Sequence, residues 1–209
     1  MADFIAYYRE HWYYLIVLIV ALVLLVFVFK KARKAYRNYY SRYRNEEAEI
    51  KRLNELKARF SGVSADGLKN EKDNDLLEGV ALTYQLELQK KENMEKAFSE
   101  YPPERQYVYA LDIFTQSASA ADFFRENGRE LTEIIAPAFK HFDLPGEATE
   151  AERLRIMFDE TDETTSINKN TIDEVNAYFS SEGKMSEIKL AAAKAIKNRA
   201  EIYILPPKC

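Results

Sequence analysis

The chain has 209 residues, room for one ordinary domain beside an anchor, and its 47% hydrophobic and 31% charged content is that of a folded protein. The net charge of −4 conceals a division: residues 1–44 carry eight Lys and Arg against Asp3 and Glu10, a balance of +6 that leaves −10 for residues 45–209. The single cysteine, Cys209, excludes an intrachain disulfide and is not fourth from the end, where prenylation needs it; with only His11 and His141 beside it, nucleophilic triads and zinc sites have almost no side chains to draw on.

From Trp12 to Phe29 the sequence reads WYYLIVLIVALVLLVFVF, eighteen residues without a charge, an amide, a glycine or a proline. At about 1.5 Å per residue such a helix covers about 27 Å, close to the ~30 Å hydrocarbon core of a bilayer, and its terminal aromatics suit the headgroups. A cleaved signal peptide would have a basic leader and small residues at the cleavage site, whereas here the leader contains Asp3 and Glu10 and the run ends Phe-Val-Phe-Lys-Lys. A soluble core helix would keep a polar face, which this run lacks. Lys30, Lys31, Arg33, Lys34, Arg37, Arg42 and Arg44 follow it with no acid between them, against Arg9 alone on the other flank. Positive flanks resist translocation, so the N-terminus is expected outside and the remainder in the cytoplasm, as a single-pass protein of the cell membrane.

Those seven cations form the candidate membrane-surface site, because each Lys or Arg near anionic headgroups contributes about 1 kcal/mol. Tyr36, Tyr39, Tyr40 and Tyr43 recur among them at helical spacing. Arginine mixed with tyrosine also suits single-stranded nucleic acid, but a position next to a spanning helix favours headgroups, and no direct nucleic-acid contact is expected. Residues 30–60 contain neither Gly nor Pro and read as a basic helical stalk continuing the span. Ile50, Leu53, Leu56 and Phe60 make a short apolar stripe; two heptads are too few for a coiled coil, so packing on the protein's own domain is preferred over a homo-dimer through the stalk.

Residues 61–70, SGVSADGLKN, read as a linker, and residues 71–209 as an acidic, all-α cytoplasmic domain of six or seven helices. Asp75 with Glu78, Thr149 with Glu152 and Thr171 with Glu174 resemble capping boxes that open three of them. Pro102 and Pro103 stop one helix and start the next, in which Tyr107, Leu111 and Phe114 share a face. Ala120 to Asn127 carries Phe123 and Phe124 and is closed by Gly128; Leu131 to Phe142 is amphipathic and kinked or restarted at Pro137; Gly183 closes the helix that Thr171 and Glu174 open, and Ser186 to Ala200 is a last, Ala-rich helix. EIYIL at 201–205 is a weak strand signal.

Little in this domain carries chemistry. The six glycines are scattered singly, so there is no phosphate loop, and no Glu-x-x-His pair builds a di-iron site. His141, between Lys140 and Phe142, reads as a surface or boundary residue. Asp162, Thr164, Ser166, Asn168, Asn170 and Asp173 stand at positions 1, 3, 5, 7, 9 and 12 of a loop of EF-hand length, yet position 6 is Ile167 where the turn needs Gly, and Asp173 is shorter than the usual Glu. A solvated loop before a capped helix is expected, with no metal, no cofactor and no catalytic residue.

The stretch Tyr107 to Leu144 resembles the central motif of a bacterial helical domain of unknown function that includes an acidic DNA-mimic protein: a paired aromatic at Phe123 and Phe124, an Asn-Gly turn at Asn127 and Gly128, then an amphipathic helix. Ser119, Ala120, Ala121 and Asp122 stand where that family has Asn-Gly-Gly-Phe. The resemblance implies a module that binds protein and does not catalyse. The expectation is therefore a membrane-anchored interaction or regulatory module with an unidentified protein partner. The alternatives are a tethered DNA mimic that captures a basic DNA-binding protein, and a carboxylate-dependent enzyme.

Overall fold

The computed structural model describes residues 30–31, 44–160 and 168–205, and the chain divides into two compact units, 1–54 and 55–209. In the first unit the described residues are helical throughout, and Arg52 reaches back one turn to Glu49 at 2.9 Å. That hydrogen bond holds the Glu49 carboxyl below its usual value. The apolar run 12–29 lies outside the described residues; among these, no helix is long and apolar enough to cross a membrane.

The second unit is all-α, with no strand among its described residues. Its helices are α1 (residues 55–60), α2 (Ala65–Asn70), α3 (Asp73–Leu88), α4 (Met94–Ser99), α5 (Pro103–Gln116), α6 (Ala120–Glu126), α7 (Arg129–Thr132), α8 (Ile135–His141), α9 (Pro145–Glu160), α10 (Lys169–Phe179), α11 (Lys184–Asn198) and α12 (Ala200–Tyr203). They outnumber the six or seven expected because α2, α4, α7 and α12 run only four to six residues, too short to show a 3.6-residue period. In space α5 lies between α3 and α8, α11 packs on α3, α9 packs on α8, and α6 and α10 pack on α9 and on each other.

The position of α5 follows from what it buries. Pro103 opens it, and Val108, Ala110, Leu111 and Phe114 are buried. Phe114 meets Phe123 of α6, Phe139 of α8 and Phe179 of α10 edge to face, with ring centroids 5.2, 5.2 and 4.9 Å away. Each such pair adds about 1 kcal/mol beyond its buried area, so one ring joins four helices. At the other end Phe60 lies against α3 over Gly79, where any Cβ would stand 2.3 Å from the ring. Leu56 and Phe60 of the apolar stripe thus pack on their own unit, while Ile50, in the first unit, is 61% exposed. Arg59 bridges Glu71 and Asp75, fastening α1 beside α3.

Several local expectations are corrected. Residues 61–70 are no plain linker: Ser64 caps α2 by accepting from the Gly67 amide, and Leu68 is fully buried. None of the three capping boxes opens its helix. Lys72, not Asp75, precedes α3; α9 starts at Pro145, and the Thr149 hydroxyl donates to the Pro145 carbonyl; Asn168 caps α10 through the Asn170 amide. The break expected at Pro137 falls between α7 and α8 instead, leaving Pro137 in the first turn of α8, where a missing N–H costs no hydrogen bond. Gly183 does not close α10, which ends at Phe179 with Ser180 as its cap; with φ +81° it makes the left-handed turn that leads into α11. EIYIL is not a strand: Ala200–Tyr203 is helical, because Tyr84 and Arg105 take up carbonyls of this segment.

Candidate functional site

Of the seven cations expected at a membrane surface, Lys30, Lys31 and Arg44 are helical and exposed; Arg33, Lys34, Arg37 and Arg42 lie outside the described residues. The second unit contains two polar clusters that the sequence did not announce.

The first is a cleft of about 290 Å³ between α6, α7 and α9, lined by Phe124, Arg125, Asn127, Arg129, Thr132, Arg155 and Phe158. Its wall is the Phe124–Phe158 pair, stacked at 5.9 Å with 5° between the ring planes. The Arg125 guanidinium lies 5.9 Å from the Phe158 ring centre and donates to Asp122 at 3.2 Å. Arg155 forks onto Glu152 one turn back, at 2.9 and 2.7 Å, which holds the Glu152 carboxyl below its usual value. Arg129 makes no ion pair with any described residue. The Asn127 amide donates to the Phe123 carbonyl at 2.8 Å, and the Thr132 hydroxyl donates to backbone carbonyls within α7's own turn. Cations and an amide therefore converge here, and no carboxylate is among the lining residues.

The second cluster fastens the chain's last described residues. The Tyr84 hydroxyl donates to the Tyr203 carbonyl, and Arg105 donates to the carbonyls of Ile202 and Ile204 at 3.2 and 2.7 Å. The Tyr203 hydroxyl and the Arg199 guanidinium both reach His141 Nε2, at 2.9 and 3.2 Å. A guanidinium can only donate, so Nε2 accepts and the neutral ring carries its proton on Nδ1. Burial, and then the Arg199 charge, hold His141 below the ordinary histidine value against the opposing pull of Glu104 and Asp143. Burial also pushes the Tyr203 hydroxyl up to about 12. His141 is a half-buried boundary residue whose partners are structural.

Elsewhere the loop of EF-hand length falls largely outside the described residues. Its Asn168 side chain is committed to capping α10, and among the described residues no three His, Cys, Asp or Glu side chains could hold a metal ion. Sequence reasoning passed over Arg125, Arg129 and Arg155 because they share no motif. The only local hint is the i,i+3 pairing of Arg125 with Asp122 and of Arg155 with Glu152, which many solvated helices also have. The fold and its clefts define a small all-α domain; no protein-family model, curated protein or solved structure matches the chain.

Proposed function

We propose that the chain is a single-pass membrane protein whose acidic helical domain faces the cytoplasm and acts there by binding another protein. The observation that carries the reading is the charge-free run Trp12 to Phe29 followed at once by seven Lys and Arg without an acid. Two features support a binding role for the domain: its core closes on itself around Phe114, and residues 45–209 carry −10. Net acidic charge keeps such a domain soluble beside an anionic membrane and favours a cationic partner surface. Protease added to right-side-out vesicles tests the orientation: residues 61–209 should stay protected until the bilayer is opened, and digestion before that overturns the reading. A peptide of residues 30–60 should bind vesicles of anionic lipid, release as salt rises and ignore neutral vesicles. Equal binding to neutral vesicles would assign the contact to the tyrosines.

A further inference from the structure

The cleft between α6, α7 and α9 runs against the charge of its surroundings. Residues 45–209 carry −10, yet three guanidinium groups and no carboxylate line this concave surface. Arg125 uses part of its five-donor fork on Asp122, and Arg129 has no ion pair among the described residues. Arg155 forks onto Glu152 outside the lining and Arg125 keeps donors beyond Asp122, so the unspent donors and the uncompensated charge of Arg129 face the cleft, and a low-dielectric aromatic wall strengthens their pull on an anion.

We propose that this cleft binds a small phosphate monoester, its phosphoryl oxygens taken by Arg125 and Arg129 beside Arg155, its carbon part against Phe124 and Phe158. A carboxylate is satisfied by a single guanidinium fork. A phosphate monoester presents three strong acceptor oxygens and about −1.5 to −2 of charge, which matches donors arriving from three separate helices. The volume, about 290 Å³, is at the small end of the ~300–1,000 Å³ typical of small-molecule sites, so the ester carries only a few carbons. The same group occurs free in solution and as a lipid headgroup. The inference is independent of how the chain is placed in a membrane.

The test uses the full-length protein in uncharged detergent, with Lys30, Lys31, Arg33 and Lys34 changed to Gln to silence the stalk, and glycerol 3-phosphate titrated by calorimetry. Saturable binding is expected, strengthening as pH rises through about 6, where the monoester takes its second charge. Arg125→Gln and Arg129→Gln should each weaken it about tenfold, the cost of one charge-assisted hydrogen bond. Arg153→Gln, on α9 but paired with Glu150 and Glu174, should leave it unchanged. Arg129 is exposed, so its variant carries the test should Arg125→Gln fail to fold. Displacement of glycerol 3-phosphate by neutral vesicles doped with phosphatidic acid assigns a headgroup; displacement by soluble monoesters alone assigns a free ligand. No saturable binding, equal loss in Arg153→Gln, or binding of a phosphopeptide in place of glycerol 3-phosphate overturns the proposal.

Discussion

The rings around Phe114 and the groups around His141 are both small sets of side chains drawn from distant helices, but they are held by different physics. Phe114, Phe123, Phe139 and Phe179 are each 1% exposed or less and bring no polar atom with them, so their contacts are apolar area and edge-to-face geometry. Around His141 the buried side chains bring polar tips that must find partners: Tyr84 on Tyr203, Tyr203 on His141, Arg105 on Ile202 and Ile204. The first region tolerates a change of pH and no change of volume. The second depends on hydrogen-bond partners and on the protonation of His141 as well.

The largest break is expected in the first region. Phe114→Ala removes the ring shared by four helices and should cost about 4 kcal/mol, read as a lower urea midpoint by circular dichroism. A loss below about 1 kcal/mol would show that α6, α8 and α10 hold together without it. Next comes a steric version of the same lesson. Gly79→Ala puts a methyl into the Phe60 ring and should cost about 2 kcal/mol, most of it recovered when Phe60→Leu is added. Additive losses in the double variant would place the cost in α3 alone.

Smaller effects belong to the second region. Tyr203→Phe keeps the ring and deletes the hydroxyl that His141 faces, for about 1 kcal/mol. Retained stability would show that Arg199 alone satisfies Nε2. The smallest effect is a slope. His141 titrates below 6.5 when folded, so as pH falls the unfolded chain takes up the proton first. The neutral ring's contribution is complete above pH 6.5 and declines as pH drops from there towards the lower folded value. Urea midpoints between pH 7.5 and 5.5 should fall for the parent and for Phe114→Ala, and stay flat for His141→Gln. An unchanged slope in His141→Gln would sink the assignment of the neutral tautomer.

What was legible in the sequence was periodic or punctuated. Pro103 opens α5, and the apolar face of α5 appears where the spacing puts it, because a 3.6-residue repeat and a fixed φ are properties of the local chain. The capping boxes misled for an equally local reason. A Thr or Asp three residues before a Glu occurs inside helices too, and what starts α9 is Pro145 and what starts α10 is Asn168. Residues 201–205 alternate like a strand, but only contact with Tyr84 and Arg105 decides where their carbonyls go.

The sequence by itself determined the helical class, the acidic balance of residues 45–209 and the eighteen-residue apolar run, since composition and short-range spacing are sufficient for each. Tertiary structure alone decided that Phe60 requires Gly79, that His141 meets Tyr203 across 62 positions, and that Arg125, Arg129 and Arg155 share one cleft. Those meetings depend on the order in which α11, α3, α5, α8 and α9 pack side by side, and that order is set by the combined burial of all their apolar faces, which no single stretch of the chain encodes.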